Sequence, residues 1–369
     1  MDIPAFTLSR QIDEIGPQTE AAVNEVISSG QFILGAQVQE FERRMAAFTQ
    51  AGHAVGVANG SDALYLALRA AGIGPGDEVL TTPFTFFATA GSILRTGAKP
   101  VFTDIDLDTF NMDPDQASAR ISPRTRAMLP VHLFGLMADI DALRSHYSGL
   151  VVEDAAQAVG ATLRGRAAGS VGDLAAFSFF PTKNLGAFGD AGMVTTVRPE
   201  WDETLRALRA HGSRQKYRHD MLGINSRLDA LQAAVLNVKL PYLGGWTERR
   251  QHVAQRYQAG FAERHVEQVQ VPVTPQGFTH VFHQYTVRAQ NRDELQAYLK
   301  SRGIGSTVYY PLSLHLQPAL QDLGYRAGDF PHSEQAQREV LSLPMFPELT
   351  DREVDRVVEE VAAFYQAGH

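Results

Sequence analysis

The sequence predicts an α/β fold with a mostly parallel central sheet and a smaller C-terminal α/β domain. Three observations carry that expectation. Short apolar, β-rich runs at about 53–58, 78–82, 100–103, 127–132, 150–153, 174–179 and 191–196 alternate with helix-compatible or turn-rich sequence. From about residue 245 onward, shorter strand patterns stand among longer helical ones. The last segment, Asp351 to Gln366, places Val354, Val357, Val358 and Val361 on one side of a helix.

Taken in order, residues 17–51 read as helices around a break from Gly30 to Gly35, with Val38, Phe41, Met45 and Phe48 at helical spacing. The stretches Gly72-Ile73-Gly74-Pro75-Gly76-Asp77 and Asn111-Met112-Asp113-Pro114-Asp115 are turn punctuation. Arg209 to Arg227 is polar and aromatic and reads as a loop leading to a long helix near 228–240. Leu243 to Arg264 is helical, His283 to Val287 a strand, Glu294 to Ser301 a helix and Ile304 to Tyr310 strand-like. These elements divide the chain into a large domain with an N-terminal helical segment, 1–244, and a small one, 245–369.

With 369 residues, 44% of them hydrophobic and 20% charged, the chain can bury a full core. A formal charge of -8 and no basic run argue against nucleic acid as a partner, yet leave room for a local positive pocket that holds a phosphorylated small molecule. There is no cysteine, hence neither disulfide nor thiolate ligand, and no apolar segment approaches a membrane span. The stretch Met1 to Phe6 lacks the features of a secretion signal, so a cytoplasmic address is expected. His280 and His283 are close in sequence but lack a carboxylate-rich ligand set, and neither G-x-G-x-x-G nor G-K-S/T is present. Metal, NAD and ATP therefore lose their usual support.

Chemistry gathers in separated segments. Lys183, one of five lysines, follows a strand-like run in Ser178-Phe179-Phe180-Pro181-Thr182-Lys183-Asn184-Leu185-Gly186, where an amine can form a Schiff base with an aldehyde cofactor and arginine cannot. Ser178 and the glycines at 186, 189 and 192 crowd donors around it, although glycines mostly report tight turns. Asn59-Gly60-Ser61-Asp62 leads from a strand into a helix; it suits either phosphate binding or plain N-capping. Asp154 ends a buried strand with Gln157 three residues on. The pair can hold a pyridinium nitrogen and a phenolic oxygen, or Asp154 can serve as an N-cap. One aromatic of Thr82-Pro83-Phe84-Thr85-Phe86-Phe87-Ala88-Thr89 can cover a flat cofactor, and His132 is open to either a ligand role or a structural one.

The ordered set Gly60-Ser61-Asp62-Ala63-Leu64, Pro83 to Thr89, Glu153-Asp154-Ala155-Ala156-Gln157 and Ser178 to Gly186 resembles the DegT/DnrJ/StrS family of nucleotide-sugar aminotransferases dependent on pyridoxal 5'-phosphate. The match continues through Gly189-Asp190-Ala191-Gly192, Asn225-Ser226-Arg227-Leu228-Asp229, Gln232-Ala233-Ala234 and Tyr310-Pro311. Ser61 stands where threonine is frequent, which retains the hydroxyl, and Ala191 where glycine is frequent.

The resemblance implies the aspartate aminotransferase type of fold (PLP fold type I) and a homodimer with shared active sites. It implies Lys183 as the Schiff-base lysine, Asp154 as the partner of the ring nitrogen, Gln157 as the contact to the ring oxygen and Phe86 as the stacking ring. Ser61 with the Gly60 and Asp62 backbone, Ser178, and Asn225 from the second subunit are implied for the phosphate. The implied reaction moves an amine from L-glutamate, through the pyridoxamine form (PMP), to a nucleotide-linked ketosugar. Lys183-Asn184-Leu185-Gly186, Lys216-Tyr217 and His283-Gln284-Tyr285 look more like members acting at C3, on a dTDP-3-keto-6-deoxyhexose, than at C4; a UDP-linked 3-ketosugar is an alternative. His132, Tyr217, His283, Tyr309, Tyr310 and His315 are candidates for the substrate side. Relatives that dehydrate a sugar carry histidine in place of the lysine, and a non-catalytic, PLP-binding regulatory protein is the remaining rival.

Overall fold

Seven strands form one sheet in a computed structural model that describes residues 2–215 and 217–368. They are β1 (His53–Val57), β2 (Glu78–Thr81), β3 (Lys99–Phe102), β4 (Thr125–Met128), β5 (Leu150–Asp154), β6 (Leu174–Ser178) and β7 (Gly192–Thr196). Their spatial order is β1-β7-β6-β5-β4-β2-β3; the pairs from β6 to β3 are parallel, and β7 runs antiparallel to both neighbours. Consequently β1 points the same way as the parallel strands, and its carboxyl end shares their edge.

The strand pattern explains why both faces are covered. Ala54, Val151, Ala175 and Met193 join one apolar cluster, with Phe41, Phe177 and Leu236. Their sequence neighbours Val55, Val152, Ala176 and Val194 join the other, with Leu64, Leu66 and Ile93. Side chains alternate across a sheet, so continuous apolar runs are what a strand buried on both faces requires. Each such fully buried Val or Leu contributes about 1.5–3 kcal/mol.

Helices α1 (Ser9–Ser29), α2 (Ala36–Phe48), α3 (Gly60–Ala70) and α4 (Phe87–Arg95) precede or interleave the first strands. Helix α1 starts earlier than the sequence suggests and contains Pro17, because Gln11, Ile15 and Thr19 form a buried stripe that runs past it. Gly30 ends α1 in the left-handed region, at φ 68°. After the sheet come α5 (Ala230–Lys239) and α6 (Leu243–Glu263). The expected loop 209–227 contains a short antiparallel pair, Ser213–Gln215 with Arg218–His219; Lys216 lies outside the described residues.

The C-terminal region has its own antiparallel sheet of β8 (Val269–Gln270), β9 (Tyr285–Ala289) and β10 (Val340–Leu343), in that order. Helices α7 (Arg292–Ser301) and α8 (Asp351–Gln366) pack with it around Tyr257, Val287, Leu341 and Val357. A capping box fixes the start of α8, with Thr350 and Glu353 each bonding the other's backbone. Caps of this kind are worth roughly 1 kcal/mol. The strand expected over 304–310 does not form. Ile304 bridges only to Ile3 and Thr307 only to Ser342, and the chain then turns so that Tyr309 and Tyr310 face the cavity described next. Among the described residues no helix is long and apolar enough to cross a membrane.

Candidate active site

A cavity of about 600 Å³ opens at the shared carboxyl edge of β1, β5 and β6, the edge where ligands bind in open α/β sheets. Its wall draws Asn59, Gly60 and Ser61 from the start of α3 and Thr85 and Phe86 from the approach to α4. Asp154 and Gln157 come from the end of β5, Ser178 and Lys183 from β6 and beyond, and His283, Tyr309 and Tyr310 from the C-terminal region. Lys183 and Asp154, far apart in sequence, thus share one space.

At the start of α3, the Asn59 side chain accepts a hydrogen bond from the Asp62 amide at 2.8 Å. The amides of Gly60 and Ser61 precede the first intrahelical acceptor, and no described residue accepts from them. Close packing shapes this cradle: a Cβ on Gly60 would lie 2.6 Å from Ser178 Cβ, and one on Gly192 would lie 2.4 Å from the Asn59 carbonyl. The cradle suits an anion such as a phosphate. Asp62 stands apart from the other two: its amide serves the cap, its carboxylate pairs with Arg95 at 3.1 Å, and it is not part of the cavity wall.

Asp154 is 4% exposed, and burial pushes its pKa up against opposing help from Thr89, the Ala156 amide and Lys183. Thr89 donates to Oδ2 at 2.8 Å, and the Ala156 amide reaches Oδ1 at 3.3 Å. Gln157 accepts from the Phe134 amide at 2.7 Å and donates to the Tyr310 hydroxyl at 3.3 Å. Burial also raises the Tyr310 phenol, which keeps it a neutral donor.

Lys183 is partly buried, with its amine group desolvated. Its pKa is pulled down to about 8 by burial, partly offset by the charge of Asp154. The loop that carries it is held from two sides. Asn184 donates to the Val281 carbonyl at 2.9 Å and accepts from His283 Nδ1 at 3.2 Å, and Lys239 donates to the Gly186 carbonyl at 2.8 Å. Because His283 Nδ1 must carry the proton in that bond, Nε2 is an acceptor. Burial and the nearby Lys183 and Arg250 charges push the imidazole well below its usual range, so it stays neutral.

Phe86 is 59% exposed at the cavity wall, its ring centroid 6.3 Å from that of Tyr310. Two histidine candidates lie outside the cavity wall. His132 is fully buried; Nδ1 accepts from the Ala138 amide at 3.1 Å, so Nε2 carries the proton that it donates to Glu153 at 2.8 Å. His315 is sealed against Phe330 and pairs with Glu334 at 3.1 Å, away from the cavity. Tyr217 and Asn225 are exposed and lie outside the cavity of their own chain. Sequence reasoning missed Asn59, Thr89 and the Lys239 contact. Only Asn59 had a local signal, as an N-cap residue just ahead of a helix.

The sequence pattern of the DegT/DnrJ/EryC1/StrS aminotransferase family matches residues 13–362. The chain is 52% identical over 369 residues, 99% of each chain, to "Pleiotropic regulatory protein" of Geobacillus stearothermophilus. It is 46% identical to "dTDP-3-amino-3,4,6-trideoxy-alpha-D-glucose transaminase" of Streptomyces venezuelae, over 97% of this chain and 95% of that one. The crystal structure of S. venezuelae DesV in complex with a ketimine intermediate superposes with a TM-score of 0.95 at 44% identity, covering 98% of both chains. The likeness spans the whole architecture and bears out the aspartate aminotransferase type of fold.

Proposed function

The chain belongs to the DegT/DnrJ/EryC1/StrS aminotransferase family, and on that premise we propose that this enzyme transfers an amine from L-glutamate to a nucleotide-linked ketosugar, at C3 of a dTDP-3-keto-6-deoxyhexose, with pyridoxal 5'-phosphate as cofactor. The observation that carries the reading is that Lys183, Asp154 and the free amides at the start of α3 all border one cavity. The donor set fits the cofactor. Gly60, Ser61 and Ser178 would hold the phosphate, Asp154 the protonated ring nitrogen, Gln157 the ring oxygen and Phe86 the ring face. When bound, pyridoxal phosphate supplies the aldehyde that takes up an amine and the electron sink that acidifies the adjacent C–H bond.

The chain's own residues do the rest. A Lys183 pKa near 8 makes the neutral amine far more abundant at neutral pH than it is for an ordinary lysine. That amine removes the proton from the α carbon of the donor and, in the second half-reaction, returns one to the amine-bearing carbon of the sugar. Asp154, as an ionised and desolvated carboxylate, fixes the charge it faces. His283 Nε2, an obligate acceptor, and the Tyr309 and Tyr310 hydroxyls orient hydroxyl groups of the sugar.

The same reading includes a homodimer. Asn225 is exposed and outside its own cavity, so its phosphate role belongs to a second copy, and Phe86, Phe87 and Phe180 leave an apolar rim exposed. It also includes the division at 244/245, near which α6 passes from the sheet cluster at Leu243 to the C-terminal cluster at Val253. C3 is favoured by the relative named for a 3-amino sugar. The name of the 52% identical relative favours a regulatory protein instead, but an intact Lys183 and Asp154 in one cavity count against loss of catalysis.

The test is direct. The purified protein should be yellow, lose its visible absorption with L-glutamate and regain it with a nucleotide 3-ketosugar. A panel of dTDP- and UDP-linked 3- and 4-ketosugars, with products identified by mass spectrometry and NMR, decides position and nucleotide. Cofactor binding without turnover on any of them would sink the transferase reading.

A further inference from the structure

We propose that Thr89 is a positioning residue for Asp154, ending a directed relay of hydroxyls, Thr85 to Thr89 to Asp154, that holds the carboxylate ionised and aimed. Proton accounting gives the direction. An ionised carboxylate only accepts, so the 2.8 Å contact between Thr89 Oγ1 and Asp154 Oδ2 places the Thr89 proton on that bond. The hydroxyl then has no proton left for Thr85, and the 3.1 Å contact between the two threonines has Thr85 as donor. Both are nearly sealed, Thr89 fully and Thr85 at 2% exposure, so water does not compete.

Placement strengthens the relay. Thr89 sits in the first turn of α4, three residues after the N-cap Phe86, where the helix end favours a negative charge. Oδ1 receives only the long bond from the Ala156 amide and retains acceptor capacity for a ligand. Burial works against the charged form of Asp154; among the groups that face it, Thr89 opposes burial most, ahead of the Ala156 amide and Lys183. A hydroxyl replaced by a methyl at this position leaves the acid with one weak donor.

This inference rests on the cofactor reading above, and its test separates the two. The dissociation constant of pyridoxal 5'-phosphate is measured by absorbance for the wild type, Thr89→Val and Thr89→Ser, each alone and with Asp154→Asn, alongside thermal melts. Valine should weaken binding roughly ten- to hundred-fold, the size of a hydrogen bond to a charged group. Serine should restore it, and valine should add no further loss once residue 154 is asparagine. Unchanged binding in a folded Thr89→Val protein, or an equal loss in the Asp154→Asn background, overturns the relay while leaving the cofactor reading intact. Failure of the wild type to bind overturns both. Should Thr89→Val not fold, Thr85→Val tests the next link; a loss in the same direction that vanishes with Asp154→Asn supports the relay, and no loss overturns it.

Discussion

Among the described residues two lysines have desolvated amines, both pulled down to about 8, yet they sit in regions built on opposite principles. Lys239, on α5, donates to the Gly186 carbonyl at 2.8 Å and lies 4.5 Å from the Phe188 ring centroid. Lys183, one loop away, has no hydrogen-bond acceptor for its amine among the described residues and faces the cavity. The neighbouring acids repeat the contrast. Glu153 accepts from His132 and from the amides of Gly169, Val171 and Gly172, whereas Asp154 has one short donor and one long one. Burial alone therefore does not mark a reactive group. What marks it is burial without saturation, since an unsatisfied polar group is costly and persists where a ligand completes it.

The largest expected effect breaks the lysine pair apart. Lys183→Ala should lower turnover by at least about 10³-fold, from loss of the proton-transferring amine, with a melting temperature close to wild type. Steady-state kinetics and a thermal melt check both halves. Lys239→Met should do the reverse. It leaves the Gly186 carbonyl without its donor and should cost about 1–3 kcal/mol of stability, while kcat stays within about ten-fold. If Lys239→Met removes activity as completely as Lys183→Ala, the contrast between the two lysines is wrong.

How far the sequence reaches follows the same divide. The central strands were legible because their apolar runs are buried on both faces, and the shared place of Lys183, Asp154 and Gln157 beside one cavity follows from the strand ends they come after. The strand expected over 304–310 was not distinguishable from an extended coil, since Ile304 and Val308 are apolar but Gly303 and Gly305 flank Ile304, and Ile304 and Thr307 each form a single isolated bridge to different partners. Where the His132 and His315 rings point is not written locally; their partners Glu153 and Glu334 hold them outside the cavity wall. Thr89 and Asp154 are 65 residues apart, and a contact of that separation leaves no trace in one sequence.

A smaller effect sharpens the comparison through pH. In the apoprotein the amine of Lys183 should become reactive with a midpoint near pH 8, read as the rate of pyridoxal phosphate uptake against pH. The charge of Asp154 raises that lysine, so Asp154→Asn should move the midpoint downward, by under roughly one unit for a charge pair not in contact. Lys239 makes no contribution to this profile, because its amine is bonded and sealed. An upward shift would mean that Asp154 does not act on Lys183 as a charge.

The smallest effect belongs to Phe86, which the cavity leaves 59% exposed. A ring that only stacks on a flat ligand contributes about 0.5–1.5 kcal/mol beyond its area, so Phe86→Leu should weaken cofactor binding some two- to ten-fold. The replacement keeps an apolar wall and should leave the apoprotein's melting temperature unchanged, because an exposed ring packs little of its surface in the free chain. A large stability loss in the apoprotein would instead place Phe86 with Lys239, among the groups that the fold has already satisfied.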